Sequence, residues 1–149
     1  MDERTSKDVI ISVVGTQMLE DDRDSIELVT GGVYTYGGEE TSFSYQESEL
    51  TGLEGTQTTF TVRPDSVILR REGTLNTQMV FELGKKHVCL YDTPYGAVTM
   101  GVNTHLIRHR LDEHGGDLEI EYVLDLEHAV IGRNSFKINV REAGRREAQ

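Results

Sequence analysis

The sequence predicts an all-β fold, a single antiparallel meander of about eight to ten strands closing into a β-barrel with little helix. Three observations predict it. Apolar residues recur with a period of two in one segment after another, while long helical periodicity is nearly absent. Fifteen glycines stand against two prolines, Pro64 and Pro94, and the glycines fall between the alternating runs. No interval between neighbouring runs is long enough for a crossover helix, so consecutive strands pair as hairpins.

The elements follow in chain order. "FSYQES" puts Phe43, Tyr45 and Glu47 on one face, and "TTFTVR" aligns Thr58, Phe60 and Val62. "SVILRRE" aligns Val67, Leu69 and Arg71; "MVFEL" aligns Met79, Phe81 and Leu83. Val88 and Leu90 lead one strand into Tyr91, and Val98, Met100 and Val102 begin the next. In "DLEIEYVLDLE", Leu118, Ile120, Tyr122, Leu124 and Leu126 alternate with mostly acidic residues; "FKINV" closes the series with Phe136, Ile138 and Val140. Gly37-Gly38, Gly55, Gly73, Gly84, Gly96 and Gly115-Gly116 supply the turns. Glu-Gly-Thr at 54–56 and at 72–74 marks two similar hairpin entries. The chain reads as one domain of 149 residues, with a core over about 8–140 and a flexible charged tail over about 141–149. So many strands with one apolar face must hide their edges. A barrel does so most simply, and a sandwich is the alternative. An interior of this size is either filled by side chains or holds one small ligand.

Composition removes several function classes. The net charge of −11 repels phosphate backbones and anionic membranes, so neither nucleic acid nor membrane is an expected partner. Cys89 is the lone cysteine, which excludes a disulfide framework and a zinc ribbon within the chain. The charged start "MDERTSKD" and the short run "VIISVV" do not make a signal peptide, and no apolar run approaches a membrane helix. The expected compartment is the cytoplasm.

The segment "YDTPYG", residues 91–96, invites a catalytic reading, yet it holds neither a nucleophile with a base nor a basic group. Pro94 and Gly96 suit a tight reversal, with the tyrosines capping the core. His105 and His109 have metal-ligand spacing only on a helix; on a strand they lie about 13 Å apart. His87, His114 and His128 lie near turns, where a solvated ring is ordinary. No metal and no cofactor is expected. No nucleophile elbow and no phosphate-binding loop occurs. Gly31-Gly32 and Gly37-Gly38 flank "VYTY" with no helix to follow, and read as bulge and turn glycines. Cys89 alternates against Val88 and Leu90 with only His87 nearby, and reads as a packed or outward thiol.

The order of short motifs carries a resemblance. Tyr45 and Glu47, then "TTFTV" at 58–62, Arg71 and Gly73, Met79 and Phe81, "YDTPYG" at 91–96, Asn103-Thr104 and "GDLEIEY" at 116–122 make roughly residues 8–140 similar to the YwiB-like family, small bacterial proteins of unknown function. The resemblance implies a calycin-like barrel akin to lipocalins. It implies no activity and carries no catalytic residues.

Alternation places Glu47 with Phe43 and Tyr45, and Arg71 with Val67 and Leu69. If those faces point inward, a glutamate and an arginine enter the barrel or its mouth, where each needs a partner, water or a ligand. Tyr45, Glu47, Arg71, Met79, Phe81 and Tyr122 are the candidate interior, ligand-facing residues; no catalytic residue is assigned. Two functions stand: a non-enzymatic binder of a small apolar or amphipathic molecule, and a protein-interaction or assembly module with a filled interior, a homo-oligomer among its forms. A void of a few hundred cubic ångströms favours the first.

Overall fold

The computed structural model describes residues 5–143 apart from Leu75 and Pro94, and only the backbone of 91–93. Ten antiparallel strands make one sheet: β1 (Thr5–Leu19), β2 (Asp22–Tyr36), β3 (Thr41–Gln46), β4 (Thr56–Val62), β5 (Ser66–Gly73), β6 (Thr77–Glu82), β7 (Lys86–Thr93), β8 (Gly96–Asp112), β9 (Gly115–Leu126) and β10 (Ala129–Glu142). One short 3-10 helix, Glu49–Thr51, lies between β3 and β4. Among the described residues no helix is long and apolar enough to cross a membrane.

The strand order is β6-β5-β4-β3-β2-β1-β10-β9-β8-β7. The meander therefore closes through its two ends, β10 pairing with β1 from Val9↔Glu142 to Met18↔Arg133. The free edges belong to β6 and β7, neighbours in the chain. The turn between them is tied to β8 instead, Gly84 N–H donating to the Thr104 carbonyl at 3.1 Å. The sheet curls until its far parts touch. Phe81 on β6 and Tyr122 on β9 have six strands between them along the sheet, yet their rings lie 4.8 Å apart. The result is a nearly closed barrel with a seam between β6 and β7.

The inward face carries the apolar residues that alternation selects: Val9, Ile11, Phe43, Phe60, Val67, Leu69, Phe81, Leu118, Ile120 and Val140 are all buried. One end is filled by Tyr34, whose hydroxyl donates to the Asp112 carbonyl at 2.7 Å. Burial, and next the Asp112 charge, push that phenol well above its usual pKa. At this end Lys7 Nζ and His114 Nδ1 meet Glu142 Oε2 at 2.7 and 2.9 Å. These bonds hold the Glu142 carboxyl down at about 2 and raise the His114 ring. Arg141 and Glu142, assigned to the tail by sequence, are the last residues of β10; residues 144–149 lie outside the described residues.

Three local readings are corrected. Gly31 and Gly32 are not a bulge: β2 keeps unbroken register with β1 through both. Gly32 has no room for a side chain, because a Cβ there would meet the Ser44 carbonyl oxygen and Ile11 Cδ1. The bulges fall instead at His105, between Thr104 and Leu106, and at Ile131, between Val130 and Gly132. Leu83 does not follow Met79 and Phe81 inward; β6 ends at Glu82, and Leu83 is 54% exposed in the turn. Tyr95 does not cap the core either, being 99% exposed.

"YDTPYG" does join two paired strands, β7 and β8, with Thr93↔Gly96 as the last pair; Pro94 lies outside the described residues. Gly96 adopts φ 117°, a region that other residues enter at a cost, and nothing stands within reach of an added Cβ. Backbone strain alone should therefore make Gly96→Val less stable by about 1 kcal/mol or more, measured by urea unfolding. Unchanged stability would show that the turn does not require glycine.

Candidate functional site

Cross-strand register assembles a polar row at the barrel end opposite Tyr34. Tyr45 on β3 lies across from Thr58 on β4, which lies across from Arg71 on β5. Glu47 stands one residue beyond β3, its N–H donating to the Thr56 carbonyl at 2.9 Å, which keeps it in step with the sheet. The chain then turns sharply. Ser48 Oγ accepts from the Leu50 N–H at 3.1 Å and caps the short 3-10 helix, which ends at Gly52 with φ 77°. That turn brings Thr51 back over Glu47.

The Glu47 carboxylate is buried, its side chain 2% exposed. Thr51 Oγ1 donates to Oε1 at 2.9 Å and Thr58 Oγ1 donates to Oε2 at 2.5 Å. Arg71 Nε stands 4.0 Å from Oε2, close enough for charge attraction and too far for a hydrogen bond. Arg71 Nε is itself buried and has no hydrogen-bond partner among the described residues. Burial first, and then the Glu47 charge, push the Tyr45 hydroxyl well above its usual pKa. Burial raises Tyr122 to about 12, with Arg71 pulling the other way. Both phenols are neutral at physiological pH.

This row borders a hollow of about 280 Å³ at the end of the barrel. Tyr45, Glu47, Thr51 and Arg71 line one side; Tyr122, Asn134 and Phe136, from β9 and β10, line another; Ile26, Leu28 and Leu53 add apolar wall. Asn134 Nδ2 is a second buried donor without a hydrogen-bond partner among the described residues. Below the hollow the interior is packed. Phe43 stacks on Phe60 at 5.1 Å, and Phe60 meets the edge of Phe136 at 5.6 Å. Tyr122 lies 6.0 Å from Phe136 and 4.8 Å from Phe81.

Of the six candidate residues, the structure brings Tyr45, Glu47, Arg71 and Tyr122 to the hollow. Met79 and Phe81 are buried elsewhere in the core, Phe81 beneath the Tyr122 ring. Glu47 and Arg71 meet as an ion pair at the interior end of the barrel rather than on its outer surface. Thr51, Asn134 and Phe136 were not among the candidates. Alternation carried back from Ile138 through Phe136 reaches Asn134, a signal that was present. Thr51 left no such trace, because a loop fold delivers it. Cys89 is half-buried against the core, and burial raises its thiol pKa; His87 is turned to Glu82, its Nε2 2.9 Å from Oε1.

The family described as "Domain of unknown function (DUF1934)" matches residues 11–138. The crystal structure of ywiB protein from Bacillus subtilis superposes with a TM-score of 0.82 at 20% identity, over 93% of this chain and 94% of that one. That likeness is one of fold. No curated protein matches the chain.

Thr58 and Val are close in shape, so Thr58→Val removes a donor from a buried carboxylate and little else. The variant should lose about 1.5–3 kcal/mol of stability in urea unfolding, the range for hydrogen bonds to charged groups. A loss within error would mean that Glu47 is solvated rather than held by Thr58.

Proposed function

The chain belongs to the DUF1934 family, and from that premise we propose that it is a non-enzymatic binder of a small amphipathic molecule, seated in the hollow at the Glu47 end of the barrel. One observation carries the reading. Two buried donors, Arg71 Nε and Asn134 Nδ2, have no hydrogen-bond partner among the described residues and border the same partly apolar hollow. A buried donor left unpaired costs free energy comparable to a lost hydrogen bond, so such donors are ordinarily paired, or aimed at something that arrives.

The ligand's chemistry follows from what is already satisfied. Both Glu47 oxygens accept hydroxyl donors, so Glu47 asks for nothing further. Among the buried polar atoms of the lining the open positions are donors, and they call for an oxygen acceptor, a carboxylate or a neutral carbonyl; Asp24, the other carboxylate in the lining, is exposed to water. Ile26, Leu28, Leu53, Tyr122 and Phe136 then offer apolar contact to the rest of the molecule. At about 280 Å³ the hollow stands near the lower end of ligand sites, about 300–1,000 Å³, which favours a small molecule. A barrel largely filled but open at one end suits this role better than that of an assembly module with a filled interior.

Titration with octanoate, octanamide and octylamine, followed by amide NMR, tests the proposal. Octanoate or octanamide should give saturable shifts around Arg71 and Asn134, and Asn134→Leu should remove them. Octylamine supplies no acceptor and places a cation beside Arg71, so it should not bind there. Octylamine binding equally well, or none of the three binding at millimolar concentration, would overturn the reading.

A further inference from the structure

We propose that the outer face of the same sheet region is a second site, for a small molecule carrying two or more anionic groups, phosphate or carboxylate. It opens on the other side of the sheet from the interior hollow, with which it shares Thr16, Tyr122, Asn134 and Ser135 at the border. A cavity of about 530 Å³ lies there, lined from β1, β2, β8, β9 and β10. Successive strand residues point to opposite faces of a sheet. Val14 and Met18 line this outer cavity, Val13, Gly15 and Gln17 line the inner one, and Thr16 borders both.

Its charge sets it apart from the rest of the molecule. The chain carries −11 overall, with 26 acidic residues against 15 lysines and arginines. Acidic partners are therefore plentiful, and Lys7, Arg63, Lys85, Lys86 and Arg108 each take one. Arg70 and Arg141 take none but hydrogen-bond Gln78 and Ser12; Arg23, Arg133 and Lys137 have neither kind of partner among the described residues, and all three line this one cavity. Glu121 is the one carboxylate in the lining. Three unpaired cations converging on a concave surface of a strongly acidic chain are not explained by a shortage of counter-charges.

Register shows how they are placed. Arg23 and Arg133 flank Met18 in one cross-strand row, Met18 being 41% exposed between their stems. Two strand spacings put the arginine backbones about 10 Å apart, within reach of one oxyanion between their guanidinium groups. The next row is Ser25, Thr16 and Ser135, a floor of hydroxyls in which Thr16 Oγ1 and Ser25 Oγ are 3.0 Å apart. Lys137 stands across from Val14 in the row beyond. Four residues of strand separate Lys137 from Arg133, about 13 Å. Cations at both ends of a hydroxyl floor suit an extended anion with two charged groups better than a single phosphate.

Calorimetry at low ionic strength with inorganic triphosphate, pyrophosphate, citrate and inorganic phosphate tests this. Triphosphate, pyrophosphate or citrate should bind more tightly than phosphate, and which of them binds tells phosphate from carboxylate recognition. Arg133→Gln and Arg23→Gln should each weaken binding about tenfold or more, as for loss of a charge-assisted hydrogen bond. Lys137→Gln should weaken the longer anions more than phosphate. Arg110 is likewise without an ion pair but lies outside the cavity, so Arg110→Gln should change binding by about twofold or less. All four side chains are exposed, and unchanged circular dichroism should show that the variants fold. Absence of binding by all three polyanions overturns the proposal. So does equal weakening in Arg110→Gln, which would mark a net-charge effect.

Discussion

The pairing of β1 with β10 is the constraint on which the rest depends. A ten-stranded meander left open would expose its first and last strands as edges, each a row of unpaired backbone groups. Joining them by ten register pairs places both in the middle of the sheet and leaves only the short β6 and its neighbour β7 as edges. It also forces the curl. Only in a curled sheet does Phe81 reach Tyr122 across the interior, and only then do β3, β4 and β5 face β9 and β10 around a common space. The hollow exists because these two groups of strands meet through side chains rather than through a ladder.

What fills that space differs from end to end. Tyr34 and the phenylalanines close one part with aromatic surface and one satisfied hydroxyl. The other part holds a carboxylate, a guanidinium, an amide and two phenols. A buried charge is costly unless it is paired or hydrogen-bonded. Glu47 meets that condition through two threonine hydroxyls, with Arg71 contributing charge at 4.0 Å. Arg71 Nε and Asn134 Nδ2, by contrast, are buried donors with no hydrogen-bond partner among the described residues. The asymmetry between a satisfied acceptor and unsatisfied donors is what gives the site a chemical direction.

Much of the fold was readable because one face of each strand is buried. Burial enforces a period of two, and a period of two survives in the sequence; Phe43, Tyr45 and Glu47 were placed together on that ground, as were Val67, Leu69 and Arg71. Relations between strands were less readable. Nothing in the residues says that Tyr45, Thr58 and Arg71 form one row, since register is set by closure of the whole sheet. Gly32 read as a bulge because a glycine required by the approach of a neighbouring strand and one required by its own dihedral look alike. Leu83 and Tyr95 were misplaced where a strand ended and alternation no longer applied. The outer cavity left no signal at all. Arg23, Arg133 and Lys137 are far apart in the chain, and a net charge of −11 conceals them until the sheet brings them together.

The most direct test of the account is native mass spectrometry of the protein purified from its own host under non-denaturing conditions. If the hollow holds a ligand, the spectrum shows a protein ion carrying a small non-covalent molecule, released on activation and absent from the Asn134→Leu variant purified in the same way. A bare polypeptide mass for the wild type, with no bound species under gentle conditions, would contradict the claim that the interior hollow is built to hold a ligand.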